Sequence, residues 1–180
     1  MAIRRILKFP DPELKHTAQP VRNIDGRTQQ LVSDLVETMY AAPGLGLAAT
    51  QVGSSDRVIV LDVREAEPKL GLVKLINPVI VQAEGSVVWE EACLSVVDYT
   101  AEVRRADHVL VKAWTSEEKE LEIDAEGLLA VALQHEIDHL DGKLFIDRIS
   151  RLKRDLYRRR VKKWIRDGLP PESRNATASI

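Results

Sequence analysis

Several features that would restrict the class of this protein are scarce or missing in its 180 residues. It has a single cysteine, Cys93, which excludes an internal disulfide and is typical of a reducing compartment. No apolar run approaches the roughly 20 residues that a membrane span needs, and no signal-peptide core follows the N-terminus. The formal net charge of -2 does not favour a general nucleic-acid binder. We therefore expect a cytoplasmic protein that does not enter a membrane.

What is present predicts a single α+β domain. Hydrophobic residues make up 44% of the chain, which is ample for one core. Apolar spacing predicts a helix at 27–40, a buried central helix at 125–140 that Gly142 stops, and a C-terminal helix at about 147–166. A glycine-rich turn is expected at 44–51 and another turn at Asn77-Pro78. Short strands are predicted at 57–63, 72–76, 79–82, 87–89, 108–114 and 120–123.

This pattern predicts antiparallel sheets around the buried central helix, with the long C-terminal helix added. Residues 1–168 would form the domain and residues 169–180 a flexible tail. Ile149, Leu152 and Leu156 form a short stripe that could pack the C-terminal helix on the domain. Val161, Trp164 and Ile165 continue the stripe with a shift.

The strongest chemical signal is the HExxH segment that begins at His135. Two histidines four residues apart, His135 and His139, lie on one face of a helix and can reach one metal ion. Glu136 between them can take a proton from water beside such an ion. The central helix therefore predicts metal-assisted hydrolysis.

The third ligand is expected upstream of this helix. Phe145 occupies the place of the third histidine of metzincins, and Glu172, the only later glutamate, stands after two prolines. Cys93 is the obvious candidate. A thiolate and two imidazoles leave a fourth tetrahedral position open, which is typical of a catalytic site.

The segment Gly44–Gln51 has two interpretations. Its glycines and small residues let the backbone approach a ligand, and the Gln51 amide could donate to a developing oxyanion. A tight turn between a helix and a strand explains the same residues equally simply.

Three motifs in order resemble the signatures of peptide deformylases of the bacterial type: GLGLAATQ at 44–51, EACLS at 91–95 and QHEIDHLDG at 134–142. The resemblance covers nearly the whole chain. It implies an enzyme that removes the formyl group from the N-terminal formyl-methionine of newly synthesised polypeptides. The domain would then be catalytic.

The resemblance also implies the roles of the central residues. Cys93, His135 and His139 would ligate one divalent metal, Fe(II) in the usual bacterial enzyme, with Zn(II), Ni(II) or Co(II) as substitutes. Gln51 and the backbone N–H of Leu94 would bind the oxyanion. Glu136 would act as general base and then as general acid.

Further positions match the family's substrate-binding residues. Leu45, Val131 and Ala132 would line the slot for the methionine side chain, although ordinary core packing explains them as well. The backbone of Gly44 and Gly46, and the strand before Glu91, could pair with an extended peptide.

One pair is expected to support the metal helix. Asp138 would pair with Arg105, as the equivalent residues do in the family, and so steady the helix that carries both histidines.

The sequence departs from the family pattern at three positions. Ala92 stands where glycine is usual, and this predicts either backbone strain or a narrower cleft. Val97 and Thr100 replace a proline and an arginine, which puts an arginine contact to the substrate backbone in doubt.

The C-terminal helix is strongly basic, since ten of the 26 lysines and arginines fall within 148–166. A solvated helix with an apolar seam explains this composition. The sharper interpretation, implied by the resemblance, is contact with ribosomal RNA. The protein is expected to be a monomer.

Two other functions remain open from the residues. A small zinc endopeptidase would share the HExxH segment and Glu136. A catalytically degenerate, ribosome-associated deformylase-like protein would be favoured by the change at Ala92.

Overall fold

The computed structural model describes residues 2–64 and 70–169, so most of the expected tail at 169–180 lies outside the described residues. The helices are α1 Gly26–Ala41, α2 Gly127–Leu140 and α3 Arg151–Arg166. The strands are β1 Gly46–Ala48, β2 Val58–Asp62, β3 Leu72–Glu84, β4 Val87–Cys93, β5 Val96–Arg105, β6 His108–Trp114 and β7 Glu120–Glu126. One-turn 3-10 helices lie at Pro12–Lys15, Ala49–Val52 and Phe145–Asp147.

Two antiparallel sheets enclose the central helix. Five strands form one sheet in the order β1-β2-β3-β6-β7, while β4 and β5 form a separate hairpin. Eleven of the 14 residues of α2 are buried, and its apolar side chains pack with those of the large sheet. The prediction of an α+β fold with antiparallel sheets around a buried helix is confirmed.

The start of α2 is set by a change of backbone conformation. Strand β7 alternates between exposed and buried residues as far as Glu126, one residue beyond the predicted helix start. Gly127 then adopts a φ of 57°, in the left-handed region that glycine enters freely. The helix begins at this turn rather than at Ala125.

The predicted turn at Asn77-Pro78 is wrong, because β3 runs through it. The register shifts between Ile76 and Val79, so the two residues form a bulge in a continuous strand. Asn77 has a φ of 53°, and its side chain bonds both the N–H and the C=O of Val21 at 2.8 Å. Pro78, which lacks an N–H, is tolerated at such a bulge.

Three further strands differ from the predictions. The glycine-rich turn contains the short edge strand β1, and β4 extends to Cys93. Strand β5 was not predicted. It ends at Arg105, a buried cation that obscures the alternation of its hydrophobic residues.

The C-terminal helix packs on the domain through only part of the predicted stripe. It begins at Arg151 rather than 147, because Ser150 caps it by accepting from the Lys153 N–H. Leu152 is 71% exposed and Leu156 is 55% exposed. Val161 and Trp164 of the stripe are buried, in a cluster with residues of the β4–β5 hairpin, and Ile149 is partly buried there. Tyr157, which the stripe did not include, is buried in the same cluster.

Ile165, which the stripe also included, is 50% exposed. The buried residues at 157, 161 and 164 share one helical face by spacing, and two of them are aromatic.

Within the described residues, no helix combines the length and the apolarity that crossing a membrane would take.

Gly142 lies where the end of α2 packs against the N-terminal segment, and this position accepts only glycine. Its φ is 69°, and a Cβ there would lie 2.3 Å from the backbone oxygen of Lys15. Gly168 has almost the same φ, 70°, but a Cβ there would meet nothing within 4 Å. A comparison of the two positions therefore distinguishes the cost of backbone strain from the cost of a steric clash.

We predict that Gly142→Ala lowers the free energy of unfolding by about 3 kcal/mol or more, because strain and clash add. Gly168→Ala should cost about 1 kcal/mol, from the left-handed backbone alone. Urea denaturation of both variants measures the difference. Equal losses would contradict the close packing of Gly142 on Lys15.

Candidate metal centre

Cys93, His135 and His139 converge in the interior. Cys93 ends β4, and the two histidines lie one turn apart on α2. Their ligand atoms all lie within 4.8 Å of one another. The His139 Nε2 is 3.2 Å from the Cys93 Sγ and 3.3 Å from the His135 Nε2. One sulfur and two imidazole nitrogens at this spacing can hold one ion and leave a further position open.

The donor atoms are held in a state that suits a cation. The Cys93 Sγ accepts from the Ser95 N–H at 3.4 Å and from Gln51 Nε2 at 3.6 Å, so two donors hold the sulfur in place. Burial, and then the neighbouring His135, lower the pKa of His139 well below its ordinary value, so its ring offers a neutral nitrogen. The residues present therefore fit a divalent metal.

Glu91 orients the His135 ring. The His135 Nδ1 lies 2.8 Å from the Glu91 Oε2, so this nitrogen donates to the carboxylate and Nε2 is left to ligate. We expected Glu91 to contribute to substrate binding, but its side chain is fully buried and turned inward. Its carboxylate supports a metal ligand, a role that the sequence did not reveal.

Arg105 connects Glu91 to Asp138. Its Nε and Nη2 donate to the two Glu91 oxygens at 2.6 and 2.9 Å, and its Nη1 donates to Asp138 Oδ2 at 2.5 Å. The Arg105 side chain is 1% exposed. The expected contact of Asp138 with Arg105 is thus present, within a larger buried network.

Glu136 is a buried carboxylate that interacts electrostatically with the neighbouring ligand His135. It is 4% exposed, and among the described residues its Oε2 has no hydrogen-bond partner. Burial is the main cause that raises the pKa of Glu136 to about 7. A group with such a pKa can both accept and donate a proton near neutral pH.

The position of Glu136 explains one glycine of the first motif. A Cβ on Gly46 would lie 2.3 Å from the Glu136 Oε1, so only glycine lets strand β1 approach this carboxylate.

Gln51 is held with its amide nitrogen toward the cluster. Its Oε1 accepts from the Ala48 N–H at 2.8 Å, which leaves Nε2 near Ser95 Oγ, at 3.0 Å, and near the Cys93 thiol. Both interpretations of the Gly44–Gln51 segment therefore describe part of it: a tight chain reversal that also aims an amide donor.

The N-terminal segment fastens the two motifs together, which sequence reasoning missed. The N–H groups of Leu7 and Phe9 donate to the carbonyls of Gln51 and Ser95, each at 2.8 Å. Lys8 Nζ donates to the Leu94 carbonyl at 2.5 Å. Residues 7–9 thereby hold the backbone on both sides of the cluster.

The predicted methionine slot is only partly distinguishable from the core. Leu45 is half-buried and Val131 is fully buried. Ala132 packs in the core between α2 and the large sheet. Surface depressions of about 420 and 550 Å³ lie along β3, β6 and β7, and no residue of the cluster lines them.

Ala92, which stands where glycine is usual in the family motif, does not strain the backbone. The described non-glycine residues with positive φ are Asn77, Asp98 and Glu118. Val97 is buried and its carbonyl accepts from the Tyr157 hydroxyl at 3.1 Å, while Thr100 is exposed.

A buried Cys/His/His cluster beside a buried glutamate on an HExxH helix defines the class of metal-dependent hydrolases. Residues 3–155 match the family model described as polypeptide deformylase. A peptide deformylase of Syntrophobacter fumaroxidans is 50% identical over 167 residues, which cover 93% of this chain and 98% of that protein. One of Rhizobium meliloti is 51% identical over 165 residues, with 91% and 94% covered.

Solved structures give the same result. A peptide deformylase from Legionella pneumophila superposes with a TM-score of 0.84 at 46% identity, covering 93% of this chain and 98% of that one. The Ehrlichia chaffeensis peptide deformylase in complex with actinonin has a TM-score of 0.84 at 39% identity, with 91% and 98% covered. The chain belongs to the polypeptide deformylase family.

The contact of Glu91 with His135 generates a prediction about metal affinity. Glu91→Gln keeps an acceptor for His135 but leaves Arg105 buried beside one carboxylate fewer. We expect affinity for Zn(II) or Co(II) to fall roughly 10- to 100-fold. Competition with a chromophoric chelator measures it, and an unchanged dissociation constant would show that Glu91 does not orient His135.

Proposed function

We propose that this chain hydrolyses the formyl group from the N-terminal formyl-methionine of newly synthesised polypeptides and releases formate. The observation that carries the proposal is the Gln51 amide at the Cys93 sulfur, together with the buried Glu136 carboxylate beside His135, in a member of the deformylase family. A proton carrier and an oxyanion donor then flank the same reacting carbon.

The three ligands would hold one divalent ion. Cys93, His135 and His139 supply sulfur and nitrogen donors, which suit Fe(II), the ion we propose as native, and equally Zn(II), Ni(II) or Co(II). When bound, the ion supplies Lewis acidity and makes water nucleophilic at neutral pH.

Glu136 would move the proton. Its Oε2 accepts the proton that water loses on attacking the formyl carbon, and the same atom then donates it to the departing amine nitrogen. The burial that raises the Glu136 pKa makes both transfers accessible near neutrality, since a carboxyl with an ordinary pKa would donate poorly.

Gln51 and Leu94 would stabilise the oxyanion. The Gln51 amide is oriented in advance by the Ala48 N–H, so little reorganisation is needed when charge develops. Leu94 follows Cys93 directly, and its backbone N–H would be the second donor.

Substrate would bind as an additional strand. Strand β1 is the edge of the large sheet, and among the described strands β4 pairs with β5 alone, so each has an edge that a peptide backbone can use. Gly44 and Gly46 allow close approach at β1. The methionine side chain would enter the slot of Leu45, Val131 and Ala132.

The two other functions are not favoured by the comparisons. Family membership over nearly the whole chain does not favour a small zinc endopeptidase. The cluster, the glutamate and the amide donor are all in place, which does not favour a degenerate site.

We also propose that residues 1–168 act as one catalytic domain, as a monomer in the cytoplasm. The basic helix α3 would place this domain at the ribosome. Its buried side carries Tyr157, Val161 and Trp164, so its arginines and lysines are largely left outward.

The chemistry has a direct test. The Ni(II)- or Fe(II)-loaded protein should release formate from formyl-Met-Ala-Ser, and Glu136→Ala should lower kcat roughly 10²- to 10⁴-fold while the metal is retained. Glu117→Ala, in the exposed β6–β7 turn, is the matched control and should leave kcat unchanged. A metal-loaded wild type that yields no formate would contradict the proposal.

The ribosome contact needs a test that spares the fold. Deleting α3 would expose the cluster around Tyr157, whereas reversing the exposed charges of Arg159, Lys162 and Lys163 to glutamate would not. Co-sedimentation with ribosomes should weaken, and formate release from the short peptide should persist. The matched control reverses three other exposed cations: Arg22, Lys74 and Lys119. Equal sedimentation of the two triple variants would sink the idea.

A further inference from the structure

Arg148 reaches the metal helix from outside the motifs that define the site. It lies before α3, in the loop after Phe145–Asp147, and its side chain is 40% exposed. Its Nη2 donates to Asp138 Oδ1 at 2.5 Å, and its Nε donates to Asp138 Oδ2. Asp138 is the residue directly before the ligand His139.

From Asp138 a continuous chain of hydrogen bonds runs to a ligand ring. Asp138 accepts from Arg105, Arg105 donates to both Glu91 oxygens, and Glu91 accepts from His135 Nδ1. Every carboxylate oxygen in this chain has a partner. Arg148 is its outermost member, and His135 Nε2 faces the ligand cluster at the other end.

The carboxylates and guanidinium groups of the chain are equal in number only when Arg148 is included. Two carboxylates, Glu91 and Asp138, then face two guanidinium groups. Without Arg148, the single Arg105 would be shared between two buried carboxylates, and Asp138 Oδ1 would lose its hydrogen-bond donor. Arg105 would then be drawn toward Asp138, and its paired contact with Glu91 would loosen.

The simpler explanation, that Arg148 fastens α3 to the domain, accounts for less. The helix is already held by the buried side chains of Tyr157, Val161 and Trp164, and the Tyr157 hydroxyl bonds Val97. The hydrogen bonds of the Arg148 side chain go to Asp138 on α2. Its bidentate geometry matches the fixed fork of a guanidinium on a carboxylate.

We propose that Arg148 is a positioning residue of the metal centre, which holds Asp138 and, through Arg105 and Glu91, the His135 ring in the orientation that ligates the ion. The inference rests on the proposed function only in requiring an ion at Cys93, His135 and His139.

Metal release measures this role without catalysis. In Arg148→Gln, transfer of Co(II) or Zn(II) to excess chelator should be about 3- to 10-fold faster than in wild type, near the lower limit for groups that support a ligand. In the loaded enzyme kcat should fall while KM is unchanged. Arg151→Gln, whose side chain is 89% exposed, is the matched control and should release metal at the wild-type rate.

A double-mutant cycle distinguishes positioning from a structural role. In the Glu91→Gln background the chain is already broken, so adding Arg148→Gln should accelerate release by less than about 2-fold. Arg148→Lys, which keeps the charge without the fork, should fall between wild type and Arg148→Gln, and decides the question if Arg148→Gln does not fold.

The inference would be overturned if Arg148→Gln released metal at the wild-type rate. It would also be overturned if the effects of Arg148→Gln and Glu91→Gln on the release rate multiplied in the double variant. A wild type that binds no ion at the cluster would overturn it together with the proposed function. Metal bound equally by wild type and Arg148→Gln would overturn this inference alone.

Discussion

The site depends on the buried guanidinium of Arg105 between two carboxylates. Glu91 belongs to β4, Arg105 to β5 and Asp138 to α2, so these ion pairs join the hairpin to the metal helix. Moving such charges out of water costs several kcal/mol per ion, and only complete hydrogen bonding offsets that cost. Since every oxygen of both carboxylates is bonded, the hairpin and the helix are held in one relative position. That position brings Cys93 to the two histidines.

Burial of the helix has a second consequence, at the reacting centre. The same exclusion of water that makes α2 part of the core raises the Glu136 pKa and strengthens the donor interactions of Gln51. Gly46 completes the arrangement, since it lets the edge of the large sheet lie against the glutamate. One packed core thus supports both the metal ligands and the groups that move protons.

The sequence pointed to the candidate metal ligands more clearly than to the residues that hold those ligands in position. The spacing of His135 and His139, and a lone Cys93, are local patterns whose chemistry can be deduced directly. The contact of Glu91 with His135 joins residues 44 positions apart, and no periodicity reveals it. Local patterns also failed to reveal β5, because its buried Arg105 resembles a surface residue. They predicted a turn at Asn77, where the same residue types form a bulge within a strand. The packing face of α3 was predicted only in part, because Tyr157, rather than the leucines at 152 and 156, packs there beside Val161 and Trp164.

The central claim is that Cys93, His135 and His139 together hold one ion. X-ray absorption at the metal edge of the loaded protein tests this most directly, because it identifies the ligand atoms themselves. We expect one ion per chain with one sulfur and two imidazole nitrogens in its coordination shell, and loss of the sulfur in Cys93→Ser. A shell that contains no sulfur in the wild type, or two ions per chain, would contradict the account.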